Sequence, residues 1–313
     1  MKIVIFGGGG FIGSAIVDRL LLDGHDLCIF ERPRVEPYRK FSEAERVEWV
    51  SGDMLSIHDI SLALEGRDLV VHLVSTTLPK GSNEDPIYDV QSNLVGTLQL
   101  LNAMVAMKVR KIIFISSGGT VYGTPKYLPI DENHPCDPQV SYGITKLAIE
   151  NYLHLYERMH GIKVVILRVA NPFGKRQRIE TAQGAVTVFL HRAISGLPIN
   201  IWGAGSVIRD YIYIDDVAEA FARAVSYNGS KSIFNVSQGL GTSLNELIAL
   251  IEETLGHPIE KNYLPARDFD VAKNILSNNL ALKEMGWTPK IPIREGIKLT
   301  AEWMKKEIKP HSK

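Results

Sequence analysis

The sequence has few cysteines, no long apolar run and no excess of charge of either sign. Its two cysteines, Cys28 and Cys136, cannot supply a disulfide framework or a structural zinc site, and we expect no metal site. No stretch reaches the ~18 uninterrupted apolar residues that a membrane span needs. The apolar start, residues 1–6, runs directly into glycines and is too short for a signal peptide. We therefore expect a cytoplasmic protein without membrane insertion.

The charges of the chain balance, because 35 Lys and Arg residues are matched by 35 Asp and Glu residues among 313 in total. A protein dedicated to nucleic acids normally has a basic surplus, so no nucleic-acid partner is expected. A content of 45% hydrophobic and 22% charged residues is typical of a globular protein. The length allows about two domains or one large α/β unit. Any anion binding must therefore depend on local features.

Short runs rich in valine and isoleucine alternate with longer amphipathic segments in the first half of the chain. This alternation predicts repeated βα units, in which a parallel sheet is covered by helices on both faces. Predicted strands lie near residues 2–6, 26–30, 47–51, 69–73, 111–115 and 163–168, and predicted helices near 11–23, 57–65, 87–107 and 142–159. The predicted fold class is therefore α/β, with a Rossmann-type doubly wound parallel sheet.

The second half of the chain is less regular and predicts a smaller α/β substrate-binding lobe. Its apolar segments lie near residues 199–202, 210–214 and 232–236, and its helical patterns near 183–195, 215–226, 243–255 and 293–307. We expect residues 1–168 and 208–238 to form the cofactor domain, and residues 169–207 and 239–313 to form the substrate lobe.

A glycine-rich loop follows the first predicted strand and opens a helix. Gly7, Gly10 and Gly13 have the GxxGxxG spacing, in which missing side chains allow a tight turn and a close approach of the backbone to a pyrophosphate. The second predicted strand ends at Glu31, about 20 residues further on, where a carboxylate can bind the ribose 2′-hydroxyl of NAD. Arg32 weakens this preference for NAD, because a guanidinium can pair with the 2′-phosphate of NADP.

Asp53 and Met54 follow the third predicted strand. Asp53 could accept a hydrogen bond from the adenine amino group, and Met54 could pack on the adenine ring. An ordinary turn aspartate explains the pattern equally well.

Tyr142 and Lys146 are four residues apart, so on a helix their side chains project from the same face. A tyrosine that acts as a base near neutral pH needs its pKa lowered from ~10 toward ~7, which requires about 4 kcal/mol of differential stabilisation. A neighbouring ammonium and a nicotinamide cation are charges that provide it. The spacing alone usually marks an ordinary helix surface. Beside a dinucleotide-binding loop it indicates a catalytic pair.

With these motifs in order along nearly the whole chain, the sequence resembles the extended short-chain dehydrogenases/reductases, in particular the NAD-dependent sugar-nucleotide epimerases related to UDP-glucose 4-epimerase. The motifs behind the resemblance are the glycine loop 7–13, Asn93-Leu94-Val95-Gly96-Thr97, Ser116-Ser117-Gly118-Gly119-Thr120-Val121-Tyr122-Gly123, the pair of Tyr142 and Lys146, Arg168-Val169-Ala170-Asn171-Pro172, and Arg209-Asp210-Tyr211.

The resemblance implies a reaction without net oxidation. Tyr142 would take the proton of the sugar 4-hydroxyl while hydride moves from C4 to NAD, and Lys146 would hold the cofactor ribose and lower the pKa of Tyr142. The resulting 4-keto sugar would turn over in the pocket and receive the hydride on its opposite face.

One position departs from the family pattern. Related sequences usually have a Ser or Thr that helps to shuttle the hydroxyl proton where this chain has Gly118. Either Ser117 takes this role or Tyr142 acts alone with water. The Asp-Glu pair with which sugar-nucleotide 4,6-dehydratases eliminate water is also missing, because Gly118 and Gly119 offer no acid or base.

The resemblance further implies contacts to NAD and to a sugar nucleotide from other parts of the chain. The additional cofactor-binding positions are Phe11, Ile12, Leu73, Val74, Ser75, Asn93, Ser116 and Val169. The substrate-binding positions are Thr77, Ser117, Asn171, Gln177, Trp202, Arg209, Arg267, Asp270 and Asn274. Arg209 suits a phosphate and Trp202 suits a base. An ion pair from Arg209 to Asp215 or Asp216, and a core position for Trp202, explain these residues as well.

We therefore expect an NAD-dependent 4-epimerase of a UDP-sugar, either UDP-glucose and UDP-galactose or the N-acetyl analogues. We also expect a homodimer that packs through the helices near 87–107 and 142–159. Two alternatives remain, an NAD(P)H-dependent reductase of a 4-keto sugar nucleotide and a non-catalytic dinucleotide sensor. An epimerase retains NAD and shows no net absorbance change, unlike the reductase, whereas a sensor has no need of Tyr142 and Lys146.

Overall fold

The computed structural model of the protein describes residues 1–178, 184–265 and 271–307, without the side chains of Pro79 and Lys80. The strands, in chain order, are β1 (Lys2–Phe6), β2 (Asp26–Glu31), β3 (Val47–Ser51), β4 (Leu69–His72), β5 (Lys111–Ser117), β6 (Lys163–Val169), β7 (Asn171–Phe173), β8 (Ile199–Trp202), β9 (Ile208–Tyr213), β10 (Ile233–Val236), β11 (Gly241–Ser243), β12 (Lys261–Leu264) and β13 (Lys273–Asn274). The helices are α1 (Phe11–Leu22), α2 (Ile57–Leu64), α3 (Pro79–Glu84), α4 (Pro86–Asp89), α5 (Gly96–Met107), α6 (Ser141–His160), α7 (Ala185–Ile194), α8 (Ile214–Ser226), α9 (Leu244–Leu255), α10 (Asn279–Met285) and α11 (Ile293–Glu307). A π-helical segment, Val90–Val95, joins α4 to α5.

The largest sheet has seven strands in the order β10-β6-β5-β4-β1-β2-β3, and all of its neighbouring strands are parallel. Its inner strands are nearly continuous apolar runs, and all four residues of β4 are buried. Such runs are expected where helices cover both faces of a parallel sheet. The strand order runs outward from β1 in both directions, which confirms the predicted doubly wound sheet.

An apolar core lies on each face of this sheet. Alternate residues of β1 belong to different cores, as the two-residue period of a strand requires. Ile3 and Ile5 pack with residues of α1 and α8. Val4 and Phe6 pack with residues of α2, α5 and α6. Helix α6, on which Tyr142 and Lys146 lie, is therefore fixed against the sheet by one of these cores.

The smaller part of the protein is built on two short sheets. Strand β9 pairs with β7, β11 and β13, and β8 pairs with β12. The predicted division joined residues 208–238 to the cofactor domain. In the structure β9 belongs to the smaller sheet, whereas α8 packs on α1 and β10 extends the large sheet. The assignment of one part to the cofactor and the other to the substrate stays a prediction.

The predicted helix near residues 87–107 is interrupted in the structure. Pro86 begins α4, where a proline suits the first helical position. Asp85 caps α4 by accepting a hydrogen bond from the Tyr88 N–H at 2.9 Å. Helix α5 begins only at Gly96, after the π-helical segment. Helix α3 was not predicted because its sequence is short and polar, without a helical period of apolar residues.

Several other short elements were not predicted either. Helix α10 has seven residues, and β7, β11, β12 and β13 have four residues or fewer. Segments of this length contain too few apolar residues to show a period. Within the described residues, no helix is long and apolar enough to cross a membrane.

The carboxyl ends of the parallel strands meet at one edge of the large sheet. The glycine loop follows β1, Glu31 ends β2 and Ser117 ends β5. Ligands of open α/β sheets bind at this edge, where the strand order reverses. Residues far apart in the sequence are thereby brought to one place.

Glu150 of α6 and Arg168 of β6 form an ion pair beneath this edge. The two side chains are 2% and 4% exposed, and the Arg168 Nη2 atom lies 2.6 Å from the Glu150 Oε2 atom. A second bond joins Arg168 Nε to Glu150 Oε1 at 3.1 Å. The pair fixes α6 relative to the sheet.

We expect Glu150→Ala to lower the free energy of unfolding by about 3–5 kcal/mol, because it leaves the Arg168 guanidinium buried without its carboxylate. Arg223→Ala is the control, since it removes an ion pair to Glu219 from a side chain that is 49% exposed. The control should cost less than about 1 kcal/mol. Urea-induced unfolding measures both values. Similar losses for the two variants would contradict a structural role of the buried pair.

Candidate active site

A cavity of about 830 Å³ opens at the carboxyl edge of the large sheet. Its volume lies within the usual range for small-molecule sites. The predicted cofactor residues on its wall are Gly7, Gly10, Phe11, Ile12, Gly13, Glu31, Arg32, Asp53, Met54, Leu73, Val74, Ser75, Ser116, Tyr142, Lys146 and Val169. The structure therefore brings together the glycine loop, the acidic strand end and the proposed catalytic pair.

The glycine loop forms one end of the cavity. Gly7 has a φ of +88°, a left-handed conformation that favours glycine. A Cβ atom at Gly13 would overlap the carbonyl oxygen of Gly7, so only glycine lets α1 begin this close to β1. The cap residue of α1 is Gly10, which has no side chain to cover the backbone N–H groups of the first turn. These N–H groups suit the pyrophosphate of a dinucleotide.

Glu31 lies beside the glycine loop, at the end of β2. Its Oε1 atom accepts a hydrogen bond from the Gly9 N–H at 2.9 Å. Burial raises the pKa of Glu31, while the Gly9 N–H and the Arg32 guanidinium act in the opposite direction. Both Glu31 and Arg32 line the cavity. The carboxylate that favours NAD and the guanidinium that favours NADP are therefore both on its wall.

Asp53 and Met54 lie on the cavity wall beyond the end of β3. The Asp53 Oδ1 atom accepts a hydrogen bond from the Leu55 N–H at 2.9 Å, which is the geometry of a turn aspartate. Met54 is 6% exposed. The contact of either residue with adenine stays a prediction.

Tyr142 and Lys146 lie one helical turn apart in α6, and both line the cavity. Lys146 is 3% exposed, and its Nζ atom donates a hydrogen bond to the Ile115 carbonyl oxygen at 3.1 Å. The Nζ atom is also 4.7 Å from the centre of the Phe114 ring and 5.7 Å from that of Tyr142. The ammonium is thereby held next to the tyrosine.

Burial shifts the pKa values of this pair toward the uncharged forms. It raises the pKa of Tyr142 to about 12, opposed by a hydrogen bond with Ser75. It lowers the pKa of Lys146 to about 8, opposed by the carboxylates of Asp89 and Glu150. A tyrosine in this state needs more positive charge nearby before it can act as a base at neutral pH.

Ser117 and Gly118 differ in what they face. Ser117 lines the cavity together with Tyr142. A Cβ atom at Gly118 would overlap the Cδ1 atom of Leu276 and lie 3.2 Å from the Arg168 carbonyl oxygen. The leucine therefore fills the space in which a side chain at position 118 would lie.

The loop that follows β4 also lines the cavity, with Thr77 among its residues. Asn93, a predicted cofactor residue, does not line the cavity but supports this loop. Its Oδ1 atom accepts a hydrogen bond from the Thr76 N–H at 2.9 Å, and its Nδ2 atom donates to Thr77 Oγ1 at 3.1 Å.

The predicted substrate residues of the smaller part lie outside the cavity wall: Asn171, Gln177, Trp202, Arg209 and Asn274. Three of them bond to neighbouring segments. Asn171 Nδ2 donates to the Asp210 carbonyl oxygen at 2.9 Å, Arg209 Nη1 donates to the Val271 carbonyl oxygen at 2.6 Å, and Asn274 Nδ2 donates to the Gly118 carbonyl oxygen at 3.2 Å. Arg267 and Asp270 lie outside the described residues.

The remaining two residues of this set have different surroundings. Gln177 is 8% exposed and accepts a hydrogen bond from the Thr187 hydroxyl. Trp202 is 40% exposed at the end of β8, so its alternative interpretation as a core residue is wrong.

Sequence reasoning missed the segment that covers the glycine loop. Tyr38 lines the cavity, and its backbone N–H bonds to the glycine loop at 2.8 Å. The Arg178 guanidinium lies 3.9 Å from the centre of the Tyr38 ring. Asp18 of α1 forms ion pairs with both Arg39 and Arg176 at 2.6 Å. These ion pairs connect the segment of Tyr38 and the segment of Arg178 to α1. Single residues in irregular loops show no period that could have revealed these contacts.

Within the described ranges, no cluster of His, Cys, Asp or Glu side chains could hold a metal ion. The cavity offers backbone N–H groups, hydroxyls, a tyrosine–lysine pair and the charged side chains of Glu31, Arg32 and Asp53 as its chemical groups.

Comparison with known proteins covers nearly the whole chain. The family model described as the NAD dependent epimerase/dehydratase family matches residues 3–237. A protein of Mycolicibacterium smegmatis named UDP-glucose 4-epimerase is 35% identical, over 97% of this chain and 99% of that protein. The solved UDP-glucose 4-epimerase of Thermotoga maritima with UDP-glucose has a TM-score of 0.93 at 33% identity, covering 99% of this chain and 100% of its own. That of Thermus thermophilus in complex with NAD has a TM-score of 0.90 at 31% identity, covering 98% and 100%.

We expect Gly118→Ser to lower the free energy of unfolding by about 1–3 kcal/mol, because the new side chain would have to displace Leu276. Gly119→Ser is a matched control, since its Cβ atom would come no closer than 3.9 Å to the Ser117 hydroxyl. The control should stay within about 0.5 kcal/mol of the parent protein. Urea-induced unfolding measures both. Equal effects at the two glycines, or a double-mutant cycle of Gly118→Ser and Leu276→Ala that shows no favourable coupling, would refute the steric account.

Proposed function

The chain belongs to the NAD dependent epimerase/dehydratase family, and from this premise we propose that it epimerises C4 of a UDP-hexose, either UDP-glucose and UDP-galactose or their N-acetyl analogues. The family match confirms the predicted family, and the solved structures confirm the predicted α/β fold and NAD as the cofactor. The observation that supports this activity best is that Tyr142 and Lys146 lie on the wall of the same cavity as the glycine loop.

The residues of the cavity fit NAD. The first turn of α1 presents backbone N–H groups that suit the pyrophosphate, and no side chain of the cap residue Gly10 covers them. The glycine at position 13 allows α1 to begin close to Gly7. Glu31, at the end of β2, suits the ribose hydroxyls. When bound, NAD supplies the hydride acceptor for C4 of the sugar and later returns the hydride.

Tyr142 is proposed as the base that takes the proton of the sugar 4-hydroxyl while C4 loses hydride. Lys146 holds positive charge beside Tyr142 and thereby favours its phenolate form. The 4-keto sugar then presents its other face, where hydride returns to C4 and Tyr142 returns the proton to the oxygen. Ser117, on the same wall, is proposed to relay this proton between the sugar oxygen and Tyr142.

The sugar nucleotide is proposed to lie between the cavity and the smaller part of the protein. Thr77 faces the cavity from the loop after β4. The nucleotide and diphosphate contacts are proposed for Asn171, Gln177, Trp202, Arg209, Arg267 and Asp270. Asn274 is proposed to limit the size of the sugar substituents. In this assignment residues 1–168 and 208–238 bind NAD, and residues 169–207 and 239–313 bind the UDP-sugar.

With purified protein and separate supplies of UDP-glucose, UDP-N-acetylglucosamine and UDP-glucuronic acid, we expect the 4-epimer of at least one to form without NADH accumulation. Tyr142→Phe should reduce the rate by about 10²–10⁴-fold, because it removes the hydroxyl that exchanges the proton. Tyr152→Phe is the matched control on the same helix, since its side chain is 38% exposed. Chromatography of the products and mass spectrometry of the co-purified cofactor give the readout. If none of these sugars is epimerised, stoichiometric consumption of NADPH on a supplied 4-keto sugar nucleotide would instead identify a 4-keto sugar reductase.

We further propose a homodimer in the cytoplasm, in which α5 and α6 of two subunits pack into a four-helix bundle. Ile144 and Met159 support this assembly, because they expose 56% and 63% of their surface on α6. Light scattering at micromolar concentration should give twice the 34.8 kDa mass of the chain, and Ile144→Glu should shift it toward the monomer. A monomeric parent protein would remove the proposal.

A further inference from the structure

Asp89, the last residue of α4, is a fully buried carboxylate beside the proposed catalytic helix. Its Oδ1 atom accepts hydrogen bonds from the Thr77 hydroxyl and, at 3.0 Å, from Asn93 Nδ2. Its Oδ2 atom accepts from the hydroxyls of Ser141 at 2.9 Å and Thr145 at 2.7 Å. A buried carboxylate needs such bonds in place of water. The four donors come from three different segments of the chain.

Two of these donors directly precede the proposed catalytic residues. Ser141 and Thr145 are one helical turn apart, and so are Tyr142 and Lys146, which lie on the neighbouring strip of the helix surface. By binding both hydroxyls with one oxygen atom, Asp89 fixes the rotation of α6 about its axis. That rotation determines where Tyr142 and Lys146 point.

The same region also holds the beginning of α6. The Ser141 N–H donates to Asn83 Oδ1 at 2.9 Å, and the Tyr142 N–H donates to Ser82 Oγ at 3.0 Å. These groups satisfy N–H donors that the first turn of a helix leaves without an intrahelical partner. The segment that contains α3 and α4 therefore holds the first turns of α6 by hydrogen bonds, and Asp89 supplies the carboxylate that accepts two of them.

The other oxygen atom of Asp89 holds the loop after β4. Thr77 belongs to the loop after β4, which lines the cavity and is proposed to face the sugar. Asn93 bonds both to Asp89 and to Thr77, at 3.0 and 3.1 Å. One carboxylate thus connects α6, on which Tyr142 lies, to the loop proposed to face the sugar.

The titratable groups that face Lys146 come from three elements. Asp89 on α4 and Glu150 on α6 both raise the pKa of Lys146 against the effect of burial. Glu150 is already paired with Arg168 of β6. His72 of β4 is uncharged at neutral pH, because burial and then Lys146 lower its pKa to about 3. The described donors to the Asp89 carboxylate are all uncharged, so none of them forms an ion pair that offsets its negative charge.

Building on the proposed function, we propose that Asp89 is a positioning residue for the reaction: it fixes α6, and with it Tyr142 and Lys146, against the sugar-facing loop. Its carboxylate also raises the pKa of Lys146. It touches neither cofactor nor substrate and acts through Ser141, Thr145 and Lys146. No motif of the sequence indicated this role.

The test is Asp89→Asn in the NAD-loaded protein, with Asp85→Asn as the matched control. Asp85 is exposed and caps the same short helix. We expect Asp89→Asn to lower kcat by up to about a hundredfold through misplacement of the catalytic groups, with a smaller change in KM. Asp85→Asn should leave kcat unchanged.

The pH dependence separates positioning from a general loss of structure. Removal of a negative charge favours the deprotonated forms, so the pKa values of both Tyr142 and Lys146 should fall. Activity requires the phenolate, which appears as pH rises, and the ammonium, which is lost as pH rises. Both limbs of the kcat profile should therefore move to lower pH in Asp89→Asn. An equal loss of kcat at every pH would show a merely structural role and overturn the proposal.

Two further measurements keep the proposal testable in other circumstances. If Asp89→Asn does not fold, Thr145→Val removes one bond to Asp89 but keeps its charge, so kcat should fall without movement of the pH limbs. A Thr145→Val protein with the parent kcat would overturn the proposal.

If the parent protein epimerises none of the UDP-sugars, the proposed function fails. Amide hydrogen exchange then still tests whether Asp89 fixes α6 against the loop after β4. Asp89→Asn should then speed exchange in residues 75–78 and 141–146, and unchanged exchange would contradict it.

Discussion

Helix α6 brings polar and charged side chains into the interior, and the site depends on the hydrogen bonds and the ion pair that replace their contacts with water. Lys146 bonds to a carbonyl oxygen of β5, Thr145 bonds to Asp89, and Glu150 binds both Arg168 and the Ser116 hydroxyl. A buried charge without a partner costs several kcal/mol. Each partner must therefore stay in place, and α6 is tied at the same time to β5, β6 and α4. The position of the proposed catalytic pair results from these ties rather than from the helix alone.

The parallel sheet explains why groups so distant in the sequence meet. Because β1, β2, β4 and β5 point the same way, the segments that follow them all emerge at one edge. The glycine loop, Glu31, the loop before α3 and Ser117 are consequently walls of one cavity. Only glycine at position 13 allows α1 to start so near β1. The fold thus places backbone N–H groups, a carboxylate and the tyrosine–lysine pair within reach of one extended ligand.

The sequence predicted the parts of the structure that have a period or a fixed spacing. The alternation of apolar runs predicted the doubly wound sheet, and GxxGxxG, Glu31 and the Tyr142 and Lys146 pair predicted the groups around the cavity. The role of Asp89 had no such signal, because its four partners are spread over residues 77–145 and only the folded chain brings them together. The break in the helix predicted near 87–107 did have a local signal in Pro86, but not one that indicates a π-helical segment.

The contact of Gly118 with Leu276 shows how one departure from the family pattern is balanced elsewhere in the chain. The two residues are far apart in the sequence, and Leu276 is fully buried where a side chain at position 118 would lie. Leu276 is itself held by Asp210, whose carboxylate accepts its backbone N–H at 3.3 Å. A hydroxyl therefore cannot be restored at position 118 without moving this buried leucine. Ser116 donates its hydroxyl to Glu150, and Ser117 lies on the cavity wall, so this wall favours Ser117 for any proton relay to Tyr142.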